Sequence, residues 1–237
     1  LKFFQKKPTQ RAAQQDKFAF ASLYRDQESY LLPLSHDEVV HEKRSLIGRM
    51  PGADAELTAN MRLLFGYQWL FPGKPLLFMG GEIGQRTEWS EDGEVAWELL
   101  EENELHVGLQ QWVADLNHLY RDEPALWAGD YSEGGFYWID NADHAAGVAS
   151  FVRQTPDCSR QALVLLNLGN ASHAGYRIGL PRAGWWREVL NSDSEHYGGA
   201  NLGNNGGVDS QETPWHSQPW SAEFNLPPLS CLVFLCD

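Results

Sequence analysis

A short charged segment holds the residues best suited to chemistry. Residues 35–42 read SHDEVVHE, and they follow directly on the apolar run YLLPL at 30–34. Active sites of α/β barrels lie where parallel strands end, so a charged pair at this point indicates catalysis. The Asp37 carboxylate could stabilise the positive charge that develops when a glycosidic bond breaks. The His36 imidazole beside it could hydrogen-bond to neighbouring sugar hydroxyls.

Two other interpretations use the same segment. Ser35 and Glu38 match the S-x-x-E capping box, in which each side chain satisfies a backbone N–H group at a helix start. A metal site would use His36 and His41, but their i, i+5 spacing differs from the i, i+4 spacing that puts two imidazoles on one helical face. Local sequence leaves the cap and the catalytic interpretation open, and both can hold for neighbouring residues.

The elements around this segment alternate between strand-like and helical patterns. The predicted elements are a weak helix at 14–26, strands covered on both faces at 30–35 and 75–81, and helices at 54–71 and 103–122. This order is typical of parallel βα units. Two such strands cannot complete a barrel or a doubly covered sheet, so residues 1–130 are predicted to be an incomplete α/β domain.

Residues 131–237 show a different pattern, with short strands separated by turns. The strand-like stretches are GFYWID, VASFVRQ, QALVLLNLG, GYRIGLP, WWREVLNSD, SAEFNL and LSCLVFLCD. Alternation at Leu229, Cys231 and Val233 is the period of a half-buried strand. The Gly/Asn-rich stretch 196–208 is predicted to be a loop. Together these patterns predict a small antiparallel β-sandwich.

Composition excludes several classes of partner. The net charge of −14 argues against nucleic acid, whose phosphates are bound by Lys and Arg, and against an anionic membrane surface. The sequence contains no apolar run of the length needed to cross a bilayer. Three cysteines without metal-ligand spacing indicate reduced thiols and a cytoplasmic location. Because the chain begins with Leu1, we expect it to be a piece of a longer polypeptide.

Long blocks of the sequence resemble the bacterial 1,4-α-glucan (glycogen) branching enzymes of glycoside hydrolase family 13. The blocks are LPLSHDEVVHEKRSLIGRMPG, PGKPLLFMGGEIGQRTEWS, LNHLYRDEPALW, GYRIGLPRAGWWREVLNSDSEHYGGANLGN and LPPLSCLVFL. The resemblance implies the C-terminal part of a (β/α)₈ barrel, with its last two strands and helices, followed by an all-β domain. It also implies an α-glucan substrate such as glycogen or amylose, no cofactor, and a monomeric full-length enzyme.

The resemblance also assigns roles to individual residues. His36 and Asp37 would end the seventh barrel strand, with His36 bound to sugar hydroxyls and Asp37 stabilising the transition state. Glu82 and Trp89 would lie near the glucan groove in the loop after strand eight. The family also needs an Asp nucleophile and a Glu acid/base, which retaining chemistry holds roughly 5 Å apart. Neither motif occurs in this sequence, so both would lie upstream of Leu1, and the chain alone is expected to be inactive.

Two further functions remain open. Another α-glucan hydrolase of the same family, such as an amylase, would share the His-Asp pair. Alternatively, the β-rich part would be a non-catalytic glucan-binding or interdomain module. That module would need exposed indoles, for which the candidates are Trp185, Trp186, Trp215 and Trp220. The β-rich part is also expected to fold independently, because it has strands and a core of its own.

Overall fold

A computed structural model describes residues 1–19, 22 and 31–236. Near the amino terminus it contains helices α1 (Pro8–Arg11) and α2 (Gln15–Ala19), with a 3₁₀ turn at Ala12–Gln14 between them. The helix predicted at 14–26 is therefore confirmed as far as α2 extends. Its remaining positions, apart from residue 22, lie outside the described residues.

A parallel strand–helix–strand unit follows. Strand β1 (Leu31–Leu34) and strand β2 (Lys74–Leu77) pair in parallel, and helix α3 (Asp54–Leu70) connects them. Pro72 and Gly73, which has φ +121°, stop α3 just before β2. The predicted order of strand, helix and strand is confirmed, and the carboxyl ends of both strands meet at one edge of the sheet.

The prediction that both strands are covered on both faces is wrong for the described residues. Leu31 is 60% exposed and Leu76 is 39% exposed, and only Leu34 is buried in β1. The physical reason is that this sheet contains just these two strands in the described part of the chain. Each strand therefore has one neighbouring strand instead of two, and few side chains cover its faces.

Two more helices complete the α/β part. These are α4 (Leu99–Glu102) and α5 (Glu104–Asp122). Asn103 begins α5, because its side-chain oxygen accepts a hydrogen bond from the Leu105 amide at 2.9 Å. The predicted helix at 103–122 is confirmed, and its apolar stripe, including Leu109, Trp112 and Leu116, is buried.

The rest of the chain forms antiparallel strands. They are β3 (Phe136–Asp143), β4 (Val148–Gln154), β5 (Gln161–Asn167), β6 (His173–Leu180), β7 (Trp185–Asn191), β8 (Gly207–Asp209), β9 (Trp220–Leu226) and β10 (Ser230–Cys236). One sheet has the order β3-β4-β5-β10-β7-β8, and β6 pairs with β9 in a second sheet. Every predicted strand of this part is confirmed. Only β8 and a 3₁₀ turn at Glu195–Tyr197, both touching the predicted loop, were not expected.

Strand β10 is buried on both faces, whereas its alternation predicted a half-buried strand. Cys231 and Val233 belong to the core shared with the helices, while Leu232 and Phe234 belong to a second core shared with β6 and β9. The prediction is wrong because β10 lies between β5 and β7 in the middle of three layers. The helices cover one face of the large sheet and the small sheet covers the other.

The described cysteines form no disulfide: Cys158 is exposed, Cys231 is buried, and Cys236 is partly buried. Burial raises the pKa of the Cys231 thiol far above its ordinary value. In the described part of the chain, no helix has the length and apolar character that a bilayer crossing requires.

Candidate functional site

His36 and Asp37 lie at the carboxyl end of β1, in a short 3₁₀ turn over His36–Glu38. The His36 Nε2 atom is 3.4 Å from the Asp37 Oδ1 atom, and the two side chains are 58% and 72% exposed. The Asp37 carboxylate is therefore free to meet a ligand. The imidazole beside it can orient that carboxylate or bind the ligand itself.

The capping box predicted for Ser35 and Glu38 is wrong. Ser35 has extended backbone, but its side chain makes no capping hydrogen bond, and the Glu38 amide donates to the Ser35 carbonyl at 3.0 Å instead. The Glu38 carboxylate pairs with the Arg49 guanidinium at 3.2 Å. A single 3₁₀ turn follows Ser35, so no α-helical first turn is present for a capping box to close.

An aromatic row connects the ends of the two parallel strands. The Phe78 amide donates to the Leu34 carbonyl at 2.9 Å, which continues the β1–β2 pairing by one residue. Phe78 then stands between two rings, with its centroid 5.9 Å from that of His36 and 5.6 Å from that of Trp89. Both contacts are edge-to-face, the favourable geometry for aromatic pairs. Phe78 thus brings His36 and Trp89 to one side of the sheet.

The loop after Asp37 is held in an unusual conformation by Glu88. His41, Glu42 and Arg44 all have left-handed backbone, with φ between 59° and 68°, which is unfavourable for residues with a Cβ. The Glu88 carboxylate accepts a hydrogen bond from the Glu42 amide at 3.1 Å and another from the Arg44 amide. One side chain therefore stabilises the strained loop beside the His-Asp pair.

Trp89 and Glu82, the two loop residues predicted to lie near a glucan groove, have different surroundings. Trp89 is partly buried against Phe78, and its amide donates to the Val39 carbonyl at 3.0 Å. Its indole also lines a cleft of about 290 Å³ together with Met79 and Glu94. Glu82 is partly buried in the turn that follows β2. In the described part of the chain, no hydrogen bond or ion pair joins it to His36 or Asp37.

Sequence reasoning missed Phe78, Glu88 and Arg49. Phe78 lies within the strand predicted at 75–81, but nothing in the local sequence indicated that it would pack between His36 and Trp89. Glu88 bonds to amides 44 and 46 residues away, a relation that no local pattern reveals.

Among the residues that the structure describes, no group of three or more His, Cys, Asp or Glu side chains is arranged to hold a metal ion. The site at the ends of β1 and β2 presents an exposed carboxylate, an imidazole and an aromatic surface, which together suit a hydroxylated ligand.

Comparison with known proteins extends these observations. Residues 138–237 match the family model "Alpha amylase, C-terminal all-beta domain". Over 98% of its length the chain is 49% identical to the 1,4-alpha-glucan branching enzyme GlgB of Mycolicibacterium paratuberculosis. It is also 45% identical over 99% of its length to that of Albidiferax ferrireducens.

The chain is a homologue of the branching enzymes. The predicted resemblance is therefore confirmed, and it is continuous across the α/β and all-β parts. This branching-enzyme homologue covers 32% of the first relative and 37% of the second. It therefore spans about a third of the length of the curated relatives that it matches.

Solved structures give the same fold at much lower sequence identity. A structure of AmyP in complex with maltotriose matches 78% of the chain with a TM-score of 0.56 and 15% identity. An Anoxybacillus alpha-amylase matches 88% of the chain with a TM-score of 0.52 and 14% identity. At these identities the likeness concerns the fold, and it places the homologue among amylase-like architectures.

Proposed function

We propose that this homologue acts as the C-terminal part of a 1,4-alpha-glucan branching enzyme. Such an enzyme cleaves α-1,4 glucan chains and transfers them to a 6-hydroxyl group, which forms the α-1,6 branches of glycogen. The observation that carries the proposal is the 45–49% identity to branching enzymes over nearly the whole chain. Identity of this level across both parts favours branching over the other activities of amylase-like folds.

In this proposal residues 1–130 are the end of a (β/α)₈ barrel and residues 131–237 are its C-terminal domain. The parallel pairing of β1 with β2, and the helix α3 that connects them, support the barrel assignment. The two exposed strands would then be the seventh and eighth of the barrel. Upstream strands would cover their free sides.

The proposed mechanism is double displacement with retention. A nucleophile and an acid/base from the upstream part would attack the anomeric carbon and protonate the leaving oxygen. Asp37 would stabilise the positively charged transition state, because its carboxylate is exposed at the carboxyl end of β1. His36 would hydrogen-bond sugar hydroxyls. Trp89 and Glu82 would bind the glucan from the loop after β2.

The proposal also covers the cellular location and the binding partners. The free cysteines support a reducing, cytoplasmic location. The net charge of −14 favours an uncharged glucan over a nucleic acid or an anionic membrane as partner. No cofactor is needed for acid/base and covalent glycosyl transfer, and the complete enzyme would act as a monomer.

The test joins this chain to the upstream two thirds of the M. paratuberculosis GlgB relative. The purified chimaera and the chain alone are incubated with amylose, and new α-1,6 linkages are measured by proton NMR of the anomeric region and by debranching. We expect branches from the chimaera and none from the chain alone. A folded chimaera that releases reducing ends without new α-1,6 linkages would instead indicate a hydrolase. Branching by the chain alone would contradict the roles assigned to upstream residues.

A further inference from the structure

The position of the Asp37 carboxylate depends on the backbone that carries it. The Asp37 side chain is 72% exposed, and it lies 3.4 Å from the His36 imidazole, which is itself 58% exposed. An exposed side chain has little packing around it, so packing does little to fix this carboxylate. Its position follows from whatever holds the backbone of residues 36–38.

The hydrogen bonds within this turn do not connect it to the rest of the fold. The Glu38 amide donates to the Ser35 carbonyl at 3.0 Å, and the Val39 amide donates to the His36 carbonyl at 2.9 Å. Both bonds join residues close together in the sequence. They shape the turn, but they leave its orientation relative to neighbouring elements open.

Arg49 connects the turn to another element. Its Nη2 atom donates to the Glu38 carbonyl, and its Nη1 atom lies 3.2 Å from the Glu38 carboxylate. A planar guanidinium binds two acceptors at once in a fixed geometry, which the ammonium group of lysine does not match. The Arg49 side chain is only 13% exposed, so water weakens these contacts less than it would on the surface. Glu38 is thus held by both its main chain and its side chain.

Arg49 can serve as a fixed point because its own segment is anchored. It ends a 3₁₀ turn over Ile47–Arg49, and Ile47 is buried in the core shared with the helices. The Ser45 hydroxyl, just before this turn, donates to the Arg86 carbonyl at 2.9 Å. Arg49 therefore connects the turn at the end of β1 to the core and to the loop after β2.

Two other contacts near Asp37 depend less on the chemistry of a side chain. The Lys43 ammonium donates to the Asp37 carbonyl at 2.5 Å, but Lys43 is exposed, and exposed charged contacts contribute little. The Trp89 amide donates to the Val39 carbonyl at 3.0 Å, which is a main-chain bond that any residue except proline can form. Arg49 is therefore the side chain best suited to orient the turn.

We propose that Arg49 is a positioning residue for the glycosyl transfer: by binding Glu38 at two points, it holds the Asp37 carboxylate where positive charge develops. The inference rests on the proposed function, in which Asp37 stabilises the transition state. Such stabilisation needs a preorganised charge, and a misplacement of about 1 Å can slow a reaction substantially. Arg49 acts through the backbone of Glu38 and does not itself bind the glucan.

The experiment uses the chimaera with the upstream two thirds of the M. paratuberculosis GlgB relative and measures kcat and KM for amylose branching. Arg49→Ala removes both contacts, and Arg49→Lys keeps the charge but loses the two-point geometry. Arg177→Lys is the matched control, because Arg177 is 22% exposed and pairs with the half-exposed Glu223 at 2.6 Å in the all-β part. In the ¹⁵N-labelled chain alone, hydrogen exchange at the Val39 amide reports on the turn. Thermal unfolding shows that each variant is folded at the assay temperature.

We expect Arg49→Ala to lower kcat by about 10²-fold and Arg49→Lys by about tenfold, with KM unchanged, because the lost positioning acts in the transition state. The Val39 amide should exchange faster in both variants. Arg177→Lys should match the parent in kcat and in exchange at Val39. A residue that only stabilised the fold would not produce this selective loss of kcat in folded protein.

Folded Arg49 variants with the kcat of the parent, or a loss that Arg177→Lys reproduces, would overturn the proposal. A rise in KM without a fall in kcat would also overturn it, because Arg49 would then contribute to ground-state binding. If Arg49→Ala does not fold, the result for Arg49→Lys is the one that counts.

The unmodified chimaera separates this inference from the proposed function. If it forms no branches, the proposed function fails, and the role of Arg49 fails with it. If it branches, the proposed function stands, and the Arg49 variants alone support or overturn the inference.

Discussion

Asp37 is the single side chain on which the proposed chemistry depends most. It is exposed, so its replacement by asparagine should leave the fold unchanged while removing a negative charge. In the active chimaera we expect Asp37→Asn to lower kcat by about 10²–10³-fold or more, because electrostatic stabilisation acts mainly in the transition state. The control is Asp92→Asn in an exposed loop. Equal branching rates for the two variants would exclude Asp37 from catalysis.

Arg153 and Asp130 form a buried ion pair between the two parts of the chain. Arg153 also donates to the carbonyls of Leu70 at 2.8 Å and Leu126 at 2.7 Å. Arg153→Ala removes one of the two cations that pair with Asp130, the other being Lys74 at 2.7 Å, and it leaves the Leu70 and Leu126 carbonyls without this donor. It should therefore lower the free energy of unfolding by about 3–5 kcal/mol. Urea unfolding measures this.

The matched control for that change is Arg121→Ala. Arg121 pairs with Asp122 at 2.7 Å on the exposed surface, where ion pairs contribute little to stability. We therefore expect its unfolding midpoint to be that of the parent chain. If both variants were equally stable, the buried pair would have no special structural importance.

At the scale of the elements, helix α3 packs against strand β10 at Gly66. A Cβ atom added there would lie 2.6 Å from the Cys231 sulfur atom. We expect Gly66→Ala to destabilise the chain by about 1–3 kcal/mol through overpacking, and Cys231→Ala to restore part of the loss in the double variant. Thermal unfolding of the full cycle measures the coupling. Additive effects of the two changes would contradict direct contact at this position.

The left-handed loop beside the His-Asp pair provides a second test of how an element is held in place. Glu88→Ala removes the acceptor for the Glu42 and Arg44 amides, so the left-handed conformation loses its main support. We expect faster hydrogen exchange at these two amides and weaker branching in the chimaera. Glu91→Ala, a neighbouring exposed position, is the control. Unchanged exchange in Glu88→Ala would show that the loop holds its conformation without this carboxylate.

For the whole molecule, the two parts share one core. Val164, Leu166, Cys231 and Val233 of the large sheet pack in the same cluster as residues of α3 and α5. This arrangement argues against the expectation that the all-β part folds independently. We expect residues 131–237 alone to bind a hydrophobic dye and to unfold at lower urea concentration than the whole chain, because an apolar face would be exposed. An isolated domain with the midpoint of the parent chain would contradict the shared core.

The tryptophans proposed as exposed glucan-binding residues differ in their exposure. Trp185 and Trp215 are exposed, whereas Trp186 is fully buried in the core between the sheets. The adjacent positions on β7 point to opposite faces, as successive strand residues do. A glucan-binding surface on this domain can therefore use Trp185 but not Trp186.

Periodicity in the sequence determined the order and type of the elements, because a helix or strand face requires apolar residues at local, regular spacing. It also determined that His36 and Asp37 end a strand of a parallel unit. Only the tertiary structure decided what covers each face: β10 became a doubly buried strand, and Ser35 did not become a cap. The same holds for Glu88, whose partner amides lie 44 and 46 residues away in the sequence. No local pattern records contacts that the folded chain alone creates.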